Sequence, residues 1–270
     1  MADIGELEKE RNMIIAKSND MIRKSRYNLS TVEQKIVMYL FSKIKPEDTD
    51  LTEYCFEIKN FCDVCGIDYN NGGNYKHVKA VIKGLRDKSF WIEEEDGTES
   101  LCSWIRKASV NKGTGKGIMK LDETILKHAI GLIQKGNFTQ FMMIYTLPMK
   151  GQYSRHFYEI LKSRENEINK YNKEFVVYEV TELQRILMAD NYKKYNDFKK
   201  YVLNYALEEI NEYSDLQVSF EEIRIKTGKR GNQPIGSLKF FIKSRDVFDI
   251  SITRQVNNNI MNEQAKIKEI

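Results

Sequence analysis

Two stretches of this chain carry basic residues and no acid, and each follows a helical segment of the same kind. The first runs from Ile105 to Lys120 and holds Arg106, Lys107, Lys112, Lys116 and Lys120. The second runs from Ile223 to Arg245 and holds Arg224, Lys226, Lys229, Arg230, Lys239, Lys243 and Arg245. Net charge is only +4, so the basic excess is local. Each stretch reads as a hairpin around a Gly-rich tip, Lys112-Gly-Thr-Gly-Lys-Gly117 and Lys226-Thr-Gly-Lys-Arg-Gly231. A chain that sets a basic hairpin behind a helix twice is confined to a small set of folds. At 270 residues and 41% apolar content it can build two ordinary cores.

The rest of the chain fits two copies of one order. Ser30-Thr-Val-Glu33 is a capping box, and Ile36, Val37, Tyr39, Leu40 and Ile44 follow at helical spacing until Pro46. Tyr54 to Ile58 reads as a strand, Asn60 to Cys65 as a short helix stopped by Gly66, and Asn70 to Gly73 as a turn. A helix from about Asn74 to Ser89 turns Val78, Val81, Ile82 and Leu85 inward and Lys76, Lys79, Lys83 and Arg86 outward. Phe90 to Glu94 and Leu101 to Ala108 pair around Asp96-Gly97, and a helix from about Asp122 to Gln134 closes this half. In the second half, Gln152 to Ser163 predicts a helix with Tyr153, Phe157, Ile160 and Leu161 inward. A strand at 175–178 and a short helix at 180–189 follow. Asn196 then caps a long helix to about Tyr213, whose buried stripe is Phe198, Val202, Tyr205, Ala206 and Ile210, with Lys199 and Lys200 outside. Strands at 216–225 and 237–242 flank the second tip.

Helix, strand, helix, helix, hairpin is the order of a winged helix. The expected fold is α+β: two tandem winged-helix domains, each a three-helix core with a β-hairpin wing. The boundaries read as 1–145, 146–250 and a tail of 251–270. The apolar side chains of Met13, Ile14, Ile15, Met21 and Ile22 need a partner surface, within the domain or on another chain. Together with a strand edge at 101–108, they offer the first half a surface for self-association, the alternative being that the segment packs on its own domain.

Three motifs in order resemble one known family. They are Lys17-Ser-Asn-Asp20 with Arg26-Tyr-Asn-Leu-Ser30 and Glu33-Gln-Lys-Ile36, then Ser154-Arg-His-Phe-Tyr158-Glu-Ile-Leu-Lys162, then the run from Phe198 to Tyr213. This pattern resembles plasmid replication initiator proteins of the iteron-binding, tandem winged-helix type, over about Ile14 to Lys243. The resemblance implies double-stranded DNA as partner, at repeated sites in a plasmid origin that the protein bends and helps open. It also implies contact with a host replication initiator and replicative helicase, in the cytoplasm. Members of the family often act as monomers at the origin and as homodimers when repressing their own promoter. A winged-helix repressor without initiator activity shares the same DNA-contact residues and is the alternative.

The side chains expected on DNA are Lys76, Lys79 and Lys83 on the first helix and Lys112 and Lys116 at the first tip. In the second half they are Lys193, Lys194, Asn196, Lys199 and Lys200 at the long helix, with Lys226, Lys229 and Arg230 at the tip. Lysines facing phosphate gain affinity by releasing counterions, while Asn pairs with adenine and Lys donates to guanine. The bland alternative is a solvated helix face with Asn196 as a plain cap.

Other chemistry lacks its residues. Cys62-x-x-Cys65 has no second ligand pair, so Cys62 and Cys65 read as core thiols and no metal is expected. His77, His128 and His156 are scattered singly, without the His-x-His metal pair of a rolling-circle nuclease. Lys112 to Gly117 does not match the phosphate-loop spacing, so no nucleotide cofactor is expected. Glu93 to Asp96 reads as a charged hairpin turn rather than a catalytic pair. The chain is therefore expected to be no enzyme. No run approaches the ~20 apolar residues of a membrane span.

Overall fold

A computed structural model of the chain describes residues 4–67, 73–93, 96–225 and 233–245. The first half opens with helix α1 (Ile4–Arg11), strand β1 (Ile14–Ser18) and helix α2 (Asn19–Lys24). Helix α3 (Thr31–Phe41) begins with the expected capping box, Ser30 accepting from the Glu33 N–H and Glu33 from the Ser30 N–H. It ends at Phe41 rather than running to Pro46, because the Ser42 hydroxyl turns back onto the Tyr39 carbonyl. Strand β2 (Tyr54–Glu57) and helix α4 (Ile58–Cys65) follow. Gly66 stops α4 with φ +64°, a left-handed cap that a side chain would strain. Helix α5 (Gly73–Asp87) buries Val78, Ile82 and Leu85. Burying such aliphatic side chains stabilises by about 1.5–3 kcal/mol each. Of the turn expected at Asn70 to Gly73, Gly73 already belongs to α5 and the rest lies outside the described residues, as does the tail expected at 251–270.

Two expectations for this half need correction. The single strand from Leu101 to Ala108 is two: β4 (Glu99–Ser103) pairs with β3 (Ser89–Glu93), and β5 (Ile105–Val110) pairs with β6 (Lys116–Leu121). Trp104 between them is fully buried against Phe90 and Tyr27, so the chain leaves one sheet to bury the indole and joins another. The helix expected at 122–134 is also broken, into α6 (Glu123–Lys127) and α7 (Leu132–Lys135), because Gly131 adopts φ +63° between them. Strand β7 (Phe138–Met142) then pairs antiparallel with β1. That pairing buries Ile15, while Met21 and Ile22 of α2 are buried as well and Met13 and Ile14 stay exposed.

The second half repeats the plan on helix α8 (Ser154–Tyr171), strand β8 (Val176–Glu179) and helix α9 (Val180–Ile186). Helix α10 (Tyr195–Phe198), a π-helical stretch (Lys199–Asn204) and helix α11 (Tyr205–Tyr213) form one continuous long helix. Strands β9 (Leu216–Arg224) and β10 (Ile235–Ser244) close it. The sheet order is β2-β6-β5 in the first half and β8-β10-β9 in the second, both antiparallel. In each, the strand after the first helix pairs with the returning strand of the wing, so the copies share topology as well as element order. These are two tandem winged-helix domains; the β3–β4 hairpin and the β1–β7 pair are additions confined to the first.

Helix α8 is longer than its sequence expectation because Glu165 and Ile168 are buried beyond Ser163. It is also the spine of the molecule. Lys17 and Glu159, both buried, form an ion pair at 2.7 Å. The His156 Nε2 lies 3.0 Å from the Ile22 carbonyl, and the Tyr158 hydroxyl donates to Asp215 at 2.8 Å. Arg155 is fully buried and donates to the carbonyls of Thr146 and Met149, and burial pulls its guanidinium down to about 10.

Candidate nucleic-acid interface

In the first half the outward face of α5 meets the β5 strand across a groove of about 520 Å³, lined by Lys79, Lys83, Arg86, Arg106 and Lys107 over an apolar floor. The Arg86 Nε donates to the Arg106 carbonyl at 3.0 Å, which locks helix to strand. Three of the cations have acidic neighbours: Lys83 with Asp87, Arg106 with Glu123 at 3.9 Å and Lys107 with Glu53 at 3.3 Å. Such exposed pairs hold their partners weakly, so a phosphate can displace the carboxylate. Lys76 lies exposed on the same helix. The expectation for Lys76, Lys79 and Lys83 thus falls on an open cationic face. Arg86 lies on that face as its spacing predicts, and Arg106 and Lys107 join it because strand β5 runs beside α5, a long-range placement that spacing does not reveal.

The tip between β5 and β6 is preorganised. The Asn111 side chain accepts from the N–H groups of Gly113 and Thr114 at 2.9 and 3.0 Å, and Gly115 has φ +69°. Lys112 and Lys116 are exposed on it.

In the second half Lys193, Lys194, Asn196 and Lys200 are exposed at the start of the long helix. Asn196 is not its cap. Lys194 holds the extended cap conformation, φ −97° and ψ 129°, and no side chain caps the helix. Asn196 is the second residue of the helix, with its side chain exposed. Lys199 is also not free. It pairs with Glu222 of β9 at 2.7 Å, where the Tyr195 hydroxyl also donates at 2.8 Å. Lys199, then Tyr195, holds the Glu222 carboxyl below its usual range.

The buried stripe of this helix is Phe198, Val202, Leu203, Ala206, Leu207 and Ile210, and Tyr205 is exposed, contrary to the straight-helix expectation. The π-helical stretch turns the chain less per residue, which swings Tyr205 off the inner face. The outer ridge therefore continues from Asn196 and Lys200 through Tyr201, Asn204 and Tyr205. Four-residue spacing from Lys200 was the available signal for Asn204. Lys200 lies over the Tyr201 ring at 4.9 Å, and Tyr201 stacks on Tyr192. Lys226, Lys229 and Arg230 lie outside the described residues.

The cysteines sit elsewhere. Cys62 and Cys65 are buried in the core of the first half, and burial pushes the Cys65 thiol up to about 12, unlike a thiolate ligand. Cys102 is buried and Cys55 exposed. Among the described residues no three His, Cys, Asp or Glu side chains cluster as a metal site, and no helix is long and apolar enough to cross a membrane. His128 and His156 are buried, and Asp96 is exposed at the β3–β4 turn.

Comparison with known proteins agrees with this geometry. Residues 14–162 match the family described as initiator replication protein, WH1, and residues 179–242 match initiator Rep protein, WH2. A crystal structure of Pi initiator protein in complex with iteron DNA is similar at a TM-score of 0.68 and 19% identity, over 87% of this chain and 99% of that one. A WH1 domain of the replication protein MSBI1.176 matches at 16% identity over 40% of this chain and 81% of that one, with a TM-score of 0.30 too low to argue from.

Proposed function

The chain belongs to the initiator replication protein family, and from that premise we propose that it binds repeated duplex sites in a plasmid origin and starts replication there. The observation that carries the DNA reading is the doubling of one interface. Each half sets a helix with an exposed cationic or amide face beside a hairpin on the same sheet topology, and the sequence over 105–120 and 223–245 is basic and free of acid. Neutralising phosphate along both wings supplies affinity, and the amides and tyrosines of the second helix read base edges. The similar Pi initiator was crystallised on iteron DNA, which supports the same class of site for this chain.

The protein acts as a binding and assembly factor without chemistry of its own. It works through a host initiator and replicative helicase, and it self-associates through the first half. The domains divide near residues 145 and 250.

The test is a duplex titration over salt. With about six to eight phosphates neutralised, log K against log salt should slope roughly −5 to −7, and a slope shallower than about −2 would overturn the interface. An origin-dependent replication assay in a host lacking the plasmid separates an initiator from a repressor.

A further inference from the structure

Both recognition helices, α5 and the long helix 195–213, are tied to one short loop. Residues 146–152 connect the first half to α8. From the second half, the buried Glu209 takes the Lys150 N–H at 2.7 Å on one oxygen and the Gly151 N–H at 2.9 Å on the other. From the first half, the Gln34 amide of α3 donates to the Gln152 carbonyl at 2.7 Å, and Thr31 donates to the Lys150 carbonyl at 3.2 Å. Arg155 fills the loop from beneath, reaching the Thr146 carbonyl at 2.9 Å and the Gln34 side chain at 3.4 Å. The loop has no slack. A Cβ on Gly151 would stand 2.2 Å from the Ser154 Oγ and 2.8 Å from the Tyr205 ring. The relay continues to the first recognition helix, because Lys88 at the end of α5 pairs with Glu33 of α3 at 2.7 Å.

We propose that loop 146–152 is a strut fixing the distance and rotation between the two recognition helices, with Glu209 and Gln34 as its positioning residues. Both side chains are buried, Gln34 away from the α5 groove and the Asn196 ridge, and Glu209 at the far end of that ridge, where Tyr205 hydrogen-bonds to it. Their work is to let the second helix engage only when its site lies in the right phase from the first. The inference rests on the reading that both halves contact one duplex.

The probe is a duplex selected by the wild-type chain from a randomised pool, with a second duplex carrying one base pair inserted between the two contacted zones. One pair rotates the second zone by about a tenth of a turn. A rigid strut should then forfeit simultaneous engagement, weakening wild-type binding by about tenfold or more. Glu209→Ala and Gln34→Ala should bind the parent duplex less well yet lose under about threefold on insertion. The affinity of Gln34→Ala for a duplex holding one zone should match wild type. Glu209→Gln, which keeps one acceptor, should lie between and serves if the alanine variant does not fold. A wild-type insertion penalty retained in folded Glu209 and Gln34 variants overturns the strut, as does a wild type indifferent to the insertion. Failure of the wild type to bind any duplex overturns the parent reading instead.

Discussion

The two winged helices share a sheet order but offer DNA different chemistry. The first groove is dominated by cations, Lys79, Lys83, Arg86, Arg106 and Lys107, with no amide among its lining side chains. The second helix carries Asn196, Tyr201, Asn204 and Tyr205 outward, and one of its lysines, Lys199, is held by Glu222. Charge without geometry binds any sequence, whereas amides at groove depth discriminate. We propose from this contrast a division of labour between the two domains: the first half clamps phosphate and the second reads bases.

Both surfaces depend on a common frame, so the largest effect comes from breaking it. Lys17→Met strands the buried Glu159 carboxylate and should cost about 3–5 kcal/mol of stability. Pairing it with Glu159→Leu should recover much of the loss in a denaturant titration. Stability unchanged in the single variant would mean the seam does not hold the halves. Next is the reading face. Asn204→Ala should relax preference at one base position and lose ~1–3 kcal/mol there, with Asn196→Ala acting earlier along the helix. Binding selections measure both, and an even loss across all sequences would reduce either residue to scaffold.

Smaller changes sharpen the contrast. Glu222→Gln should free Lys199 and steepen the salt slope of the second half by up to about 0.9. An unchanged slope would show that Lys199 cannot reach phosphate even when released. His156 lies in the seam, facing Glu159, Lys17 and Arg26, and burial lowers its pKa despite the pull of Glu159. Above about pH 6.5 it is neutral in both folded and unfolded chain and carries no penalty. As pH falls through that value the unfolded chain takes up the proton first, so stability declines. Melting temperatures at about pH 7.5 and about pH 5.5 should therefore diverge more in wild type than in His156→Gln.

Much of the fold was legible in the sequence, for reasons that differ by region. Local signals read correctly: the Ser30–Glu33 capping box, the Gly66 stop and the inward face of α5 are set within a few residues. What failed was tertiary in origin. Trp104 splits a strand because the core claims its indole, and a π-helical stretch rotates Tyr205 outward. Asn196 has the look of a cap because short polar side chains usually spend themselves there. The family-bearing motifs identified the family correctly, but their place in the fold was not legible. Lys17, Gln34, His156 and Glu159 build the seam between the halves. Arg106 and Lys107 reach the α5 groove only through the sheet, which no helical spacing reports.

Division of labour is tested most directly by two block variants measured for base preference and salt slope together. One replaces Lys79, Lys83 and Arg86 with Ala, and the other replaces Asn196, Tyr201 and Asn204 with Ala. The account predicts that the first keeps the wild-type base preference while its slope shallows by roughly 0.9 for each phosphate no longer neutralised. The second should keep most of the slope and flatten the preference. A first-half block that changes which sequence is preferred, or a second-half block that leaves the preference intact, would contradict it.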